Sequence, residues 1–108
     1  MKTKLITKEV AHRLPKHDAV VCLDDAVVQC KLFVPGTLHR WYVLTGEPTE
    51  DGNWNFLGYA TCDSDGGEFG GFTLSELESI EGPFGVRVER DLYFVPVPIS
   101  NVISGQKS

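Results

Sequence analysis

A chain of 108 residues, 42% hydrophobic and 23% charged, has the size and balance of one globular domain with room for a single core. Its formal charge of −5 argues against nonspecific nucleic-acid binding, which needs basic groups to neutralise phosphates. No apolar run approaches the roughly 18 residues a membrane span requires, and Lys8 and Glu9 interrupt the opening apolar stretch too early for a secretory signal. The expectation is therefore an unprocessed cytoplasmic protein.

In chain order, Thr7 is the N-cap of a short amphipathic helix whose apolar face is Val10, Ala11 and Leu14, stopped by Pro15. Two turns are marginal alone, so this helix must dock. Ala19 to Leu23 reads as a strand and Asp24-Asp25 as a turn. Val27 to Val34 is a strand with Val28, Cys30, Leu32 and Val34 on one face. Pro35-Gly36 turns the chain into a hairpin partner, His39 to Thr45. After a second turn at Asp51-Gly52, Trp54 to Cys62 forms a third strand with aromatics on both sides, as a strand covered on both faces requires.

The glycine-rich run Asp63 to Gly71 reads as a flexible loop. Its opening D-S-D-G has the spacing of a calcium loop, but Leu74 stands where the bidentate glutamate belongs, so no metal is expected there. Thr73-Leu74-Ser75-Glu76 is a capping box opening a helix, with Phe72 and Leu77 at the staple positions. Gly82 and Pro83 read as its left-handed cap and stop. Val86 to Val95 then alternates as a strand, with Val86, Val88, Arg90, Leu92 and Phe94 on one face. An arginine in such a row needs a carboxylate partner, and Glu68, Glu76 and Glu78 are the nearest in sequence. Arg90 with Glu76 is thus either a structural ion pair or an anion- or partner-binding site. Pro96 and Pro98 take the chain out of the sheet along an edge, and residues 104–108 read as a disordered tail after a domain of residues 1–103.

The elements together predict an α+β fold: a small antiparallel sheet of about four to five strands with two short helices packed on it. Three cysteines, Cys22, Cys30 and Cys62, at spacings of 8 and 32 form neither a disulfide framework nor a common zinc module, and read as free thiols.

Charge is unevenly placed. Between Arg40 and Arg87 there is no lysine or arginine, and the segment carries −9, against +3 before it and +1 after it. Glu47, Glu50, Asp51, Asp63, Asp65 and Glu68 are the candidate residues for an acidic face that meets a basic protein surface. The alternative for any one of them is a solvated acid that only keeps the chain soluble.

The run F-T-L-S-E-L-E-S-I-E-G-P-F-G-V-R-V-E-R-D-L-Y-F-V-P-V-P (Phe72 to Pro98) resembles the C-terminal hallmark of a bacterial and plasmid-borne family called domain of unknown function 2958. Leu5-Ile6-Thr7-Lys8-Glu9 with Leu14-Pro15, Lys31-Leu32-Phe33 and Trp41-Tyr42 extend the similarity over most of the chain. Asp63 to Gly71 and Pro15 to Ala26 depart from it. The resemblance implies no established activity and carries over no catalytic residue. It implies occurrence on conjugative and phage-like elements beside anti-restriction and plasmid-maintenance genes, hence accessory cargo that counters host defence.

The histidines His12, His17 and His39 are not grouped in sequence with a serine or cysteine, and no carboxylate spacing is diagnostic of catalysis. The reading is a non-enzymatic protein without cofactor that binds a protein partner through its acidic segment. A small enzyme or anion-binding domain using Arg90 is the alternative, and a structural or oligomerising domain using the edge strand is another. The oligomeric state is not legible.

Overall fold

The computed structural model describes residues 5–19, 22–63 and 66–106. In them the elements follow as α1 (Lys8–Arg13), β1 (Val27–Val28), β2 (Cys30–Phe33), β3 (Arg40–Pro48), β4 (Trp54–Asp63), β5 (Gly66–Thr73), α2 (Leu74–Ser79), β6 (Glu89–Arg90), β7 (Val97–Pro98) and α3 (Ile99–Gln106). Single 3₁₀ turns lie at His17–Ala19, Leu23–Asp25 and Pro83–Gly85. Five strands form an antiparallel sheet in the order β5-β4-β3-β2-β6, and β1 pairs separately with β7. The fold is α+β, with the expected number of sheet strands.

The hairpin β2–β3 turns at Pro35-Gly36, where Gly36 takes φ +78° and Thr37 Oγ1 donates to Val34 O at 2.8 Å. Along β3 the side chains alternate between two apolar layers. Trp41 and Val43 join Leu32, Phe56, Phe72 and Leu77 on one face, where α1 contributes Val10. Tyr42 joins Val28, Tyr59 and Ile99 on the other. Each fully buried aliphatic or aromatic side chain stabilises by about 1.5–3 kcal/mol, so the central strands are held from both sides. Thr7 caps α1 as expected, its Oγ1 accepting from Val10 N at 3.3 Å.

Several expectations are corrected. The glycine-rich run is not a loop: its greater part is β5, paired with β4 from Asn55↔Thr73 to Asp63↔Gly66. Phe69 packs edge-on against Tyr59 at 5.1 Å and Phe72 against Phe56 at 5.7 Å, so aromatic cross-strand pairs supply what the glycines cannot. Two glycines of the β4–β5 pair are demanded by space. A Cβ on Gly58 would stand 2.2 Å from Tyr42 O, and one on Gly67 2.3 Å from Ala60 O.

The strand expected over Val86 to Val95 is confined to Glu89–Arg90. Val88 is buried, but the alternation ends at Asp91, whose Oδ1 accepts from Tyr93 N at 2.9 Å and whose backbone oxygen accepts from Phe94 N at 3.4 Å. This side-chain turn replaces the ladder, leaving Leu92, Tyr93 and Val95 exposed and turning Phe94 to the opposite core. Ala19 to Leu23 is not a strand in its described part, which holds the ends of two 3₁₀ turns; Val20 and Val21 lie outside the described residues.

Gly82 is not a left-handed cap. The helix closes at Ile80 in extended geometry, and Gly82 has φ −90°. A glycine is needed there because a Cβ would meet Val34 Cγ1 at 2.5 Å. The proline-rich exit pairs with β1 through Val27↔Pro98 and Val28↔Val97. Beyond it α3 runs on to Gln106, so residues 104–106 are helical where a tail was expected, because Ile99, Val102 and Ile103 dock on the core.

Candidate functional site

The acidic candidates do not share one face. Glu47 lies near the C-terminal end of β3, and Glu50 and Asp51 in the turn that follows. Asp63 ends β4, and Glu68 faces Ala60 across the β4–β5 pair. The ten residues of β4 separate the two groups by about 30 Å at roughly 3.3 Å per residue. Asp65 lies outside the described residues.

Two of these acids have internal duties. Glu47 Oε2 accepts from His17 N at 2.8 Å, while His17 Nδ1 meets Thr45 Oγ1 at 2.6 Å, so Glu47 anchors the segment after α1. The Asp51 carboxylate accepts from Thr49 Oγ1, and that bond holds its pKa below the usual carboxylate value. Thr73 caps α2 as expected, its Oγ1 accepting from Glu76 N at 3.2 Å. The Glu76 side chain reaches back to the Thr73 hydroxyl, which donates to its Oε1 at 3.1 Å.

Arg90 is far from its expected partners. It pairs with Leu32 on β6, one edge of the sheet, whereas Glu68 is on β5, the other edge. Four inter-strand spacings of about 4.8 Å put the two roughly 19 Å apart. Glu76 and Glu78 belong to α2, which packs beside β4 and β5. Glu76 serves the start of its own helix through Thr73. Arg90 instead shares a cavity of about 170 Å³ with Thr7, Arg13, Gln29, Cys30 and Asp91, between α1 and the β2–β6 edge.

Cys30 forms part of that cavity's wall, and burial pushes its thiol up to about 12 against the lowering influence of Arg90 and Arg13. Cys22 and Cys62 are exposed. His39 packs against Trp41 with ring centroids 4.1 Å apart and planes tilted by 31°, and burial lowers its pKa. It lines an open cleft together with Cys62 and Glu68. Among the described residues no set of three His, Cys, Asp or Glu side chains is placed to hold a metal ion. Nor is any helix among them long and apolar enough to cross a membrane.

The feature that sequence reasoning missed is Phe84. It stands at the apex of the Pro83–Gly85 turn with φ +58°, the one non-glycine residue in the left-handed region among those described, and is 105% exposed. The turn is braced below it. Gly82 N donates to Val86 O at 2.7 Å, Gly85 N to Gly82 O at 3.2 Å and Val86 N to Pro83 O at 3.3 Å. Glu81 and Arg87 pair through an isolated antiparallel backbone bridge, and Glu81 Oε1 lies 3.5 Å from where a Gly85 Cβ would sit. The signal was present as G-P-F-G, an aromatic set among turn residues, but the strand pattern after it drew the reading past it.

A five-stranded antiparallel sheet with helical cover on both faces and dispersed acids defines a small α+β protein. A family model described as "Protein of unknown function (DUF2958)" matches residues 5–105, nearly the whole chain, and the protein belongs to that family. A search of curated proteins and a search of solved structures each returned no match.

Proposed function

We propose that this protein is a non-enzymatic accessory factor that binds a protein partner, with Phe84 as the anchor of the contact. Phe84 carries the reading. Holding a bulky side chain in the left-handed region costs about 1–3 kcal/mol, and leaving an aromatic ring in water forgoes roughly 2 kcal/mol of burial. Glycine would make the same turn without either cost. A rigid aromatic kept on a braced turn at the expense of stability is the form that interface anchors take.

The carboxylate of Glu81 lies beside the turn, and Glu78 is exposed on the preceding helix. Those charges favour a partner whose apolar socket is rimmed by lysine or arginine. The acidic segment therefore contributes through these residues rather than through one surface spanning Glu47 to Glu68. The genetic surroundings implied by the family resemblance point to a host nucleic-acid-binding defence complex, which presents such basic surfaces, as the partner class.

The test is capture from a host lysate, identification of what elutes at high salt, and binding of the purified partner to variants. Phe84→Gly is expected to weaken binding at least about tenfold, the effect of losing a central anchor. Glu78→Lys with Glu81→Lys weakens it and flattens its salt dependence. Glu50→Lys with Glu68→Lys, at the two ends of β4, leaves it within a few-fold of wild type. Wild-type affinity in the Phe84→Gly protein would sink the reading.

A further inference from the structure

We infer that the cavity between α1 and the β2–β6 edge is a binding site for a small oxyanion of about phosphate size. Three separate stretches of chain converge on it: the start and end of α1 with Thr7 and Arg13, the β1–β2 junction with Gln29 and Cys30, and the end of β6 with Arg90 and Asp91. A volume of about 170 Å³ holds several waters and so has room for an ion of four or five heavy atoms.

The charges favour an anion. Arg13 and Arg90 reach the cavity from different elements, and Arg13 is oriented by donating from Nη2 to Gln29 O at 2.9 Å. A guanidinium has five N–H donors in a planar fork, so each arginine can hold an oxyanion alongside the contacts it already makes. Asp91 does not cancel them. Its Oδ2 lies 3.7 Å from Lys31 Nζ, and its Oδ1 accepts from Tyr93 N. Glu9 is the remaining carboxylate of the lining and is exposed, so solvent screens its charge. The buried Cys30 thiol stays protonated at neutral pH, so it presents a neutral S–H rather than a thiolate that would repel the ligand.

The site is independent of the Phe84 turn. Cys30 opens β2 and Val34, which touches the Gly82 backbone of that turn, follows its end, about 13 Å apart at roughly 3.3 Å per residue. Binding here and partner capture there can therefore fail separately.

The test is titration of the full chain with inorganic phosphate, sulfate and acetate in separate arms, followed by amide chemical shifts and by the thermal midpoint. Expected are saturable shifts clustered at Gln29, Cys30 and Asp91, with a midpoint that climbs with ligand concentration. Arg13 is exposed, so Arg13→Gln leaves the fold intact, and it is expected to weaken binding about tenfold or more. Arg90→Lys keeps the charge, loses the fork and weakens binding as well. Lys8→Gln, exposed on α1 outside the cavity, leaves affinity unchanged. Preference for phosphate and sulfate over acetate assigns a tetrahedral ligand; the reverse assigns a carboxylate. Shifts that stay linear, scatter over all surface cations, or persist undiminished in Arg13→Gln overturn the site.

Discussion

Asn53 holds Ser75 by two bonds, accepting from Ser75 N on Oδ1 at 3.0 Å and donating from Nδ2 to Ser75 Oγ at 2.9 Å. The turn between β3 and β4 is thereby tied to the first turn of α2, so a helix of six residues has its start fixed from outside as well as by its own cap. Asn53→Ala is expected to cost about 1–2 kcal/mol, read as a lower urea midpoint with an unchanged slope. Asn53→Asp keeps the acceptor and should cost less. Equal losses in the two variants would show that the amide donor, not the cap, matters.

Phe84→Gly should make the isolated protein more stable. Relief of the left-handed strain outweighs the extra freedom glycine brings to the unfolded chain, for a net gain of about 1 kcal/mol. In a chain of this size that raises the thermal midpoint by about 4–8 °C. A midpoint below wild type would mean that the ring supports the fold.

The glycines of the sheet separate into two kinds. Gly58→Ala drives a methyl group into the Tyr42 carbonyl and is expected to cost about 3 kcal/mol or more, since backbone on both strands must move. Gly70→Ala meets nothing within 4 Å and should be neutral or stabilising by a few tenths of a kcal/mol. Chemical denaturation of both variants checks this, and equal effects would contradict it.

Alkaline pH should weaken the fold through Cys30. Its pKa rises from 9.0 to about 12 on folding, chiefly by burial, so its contribution is complete below pH 9 and is lost as pH climbs toward 12. The slope is roughly 1.4 kcal/mol per pH unit within that window. Burial also raises the Tyr42 pKa, which acts in the same direction above pH 10. Cys30→Ala should flatten the decline measured by urea unfolding at about pH 8 and about pH 10.5. In the native protein Cys22 and Cys62 should react with a thiol reagent, and Cys30 only after unfolding.

The parts of the fold that were legible are those where a local cause suffices. Thr7 and Thr73 cap helices through their own hydroxyls, and Pro35-Gly36 turns a hairpin whose first strand alternates cleanly. β5 was illegible because glycine has poor strand propensity, and only its partners Tyr59 and Phe56 explain why Phe69 and Phe72 bring it to the sheet. The stretch after Arg90 misled because Leu92 and Val95 are apolar yet exposed, a pattern set by one side-chain bond from Tyr93 to Asp91. α3 carried a usable signal in the spacing of Ile99, Val102 and Ile103 that the two prolines before it obscured. The candidate sites depended on distance across the sheet. Spacing in sequence says nothing about Arg90 and Glu68 standing on opposite edges, or about Arg13 and Arg90 lining one cavity.

Among the described residues β5 has β4 on one side in the sheet and no strand on the other, and half of its residues are exposed. A glycine-rich outer strand offers its peptide groups to any passing chain, a route to misassembly. Glu68 stands near the middle of that strand, opposite Ala60, and a second copy docking there edge to edge would bring two such carboxylates toward each other. Repulsion between those like charges disfavours pairing of two copies along this edge.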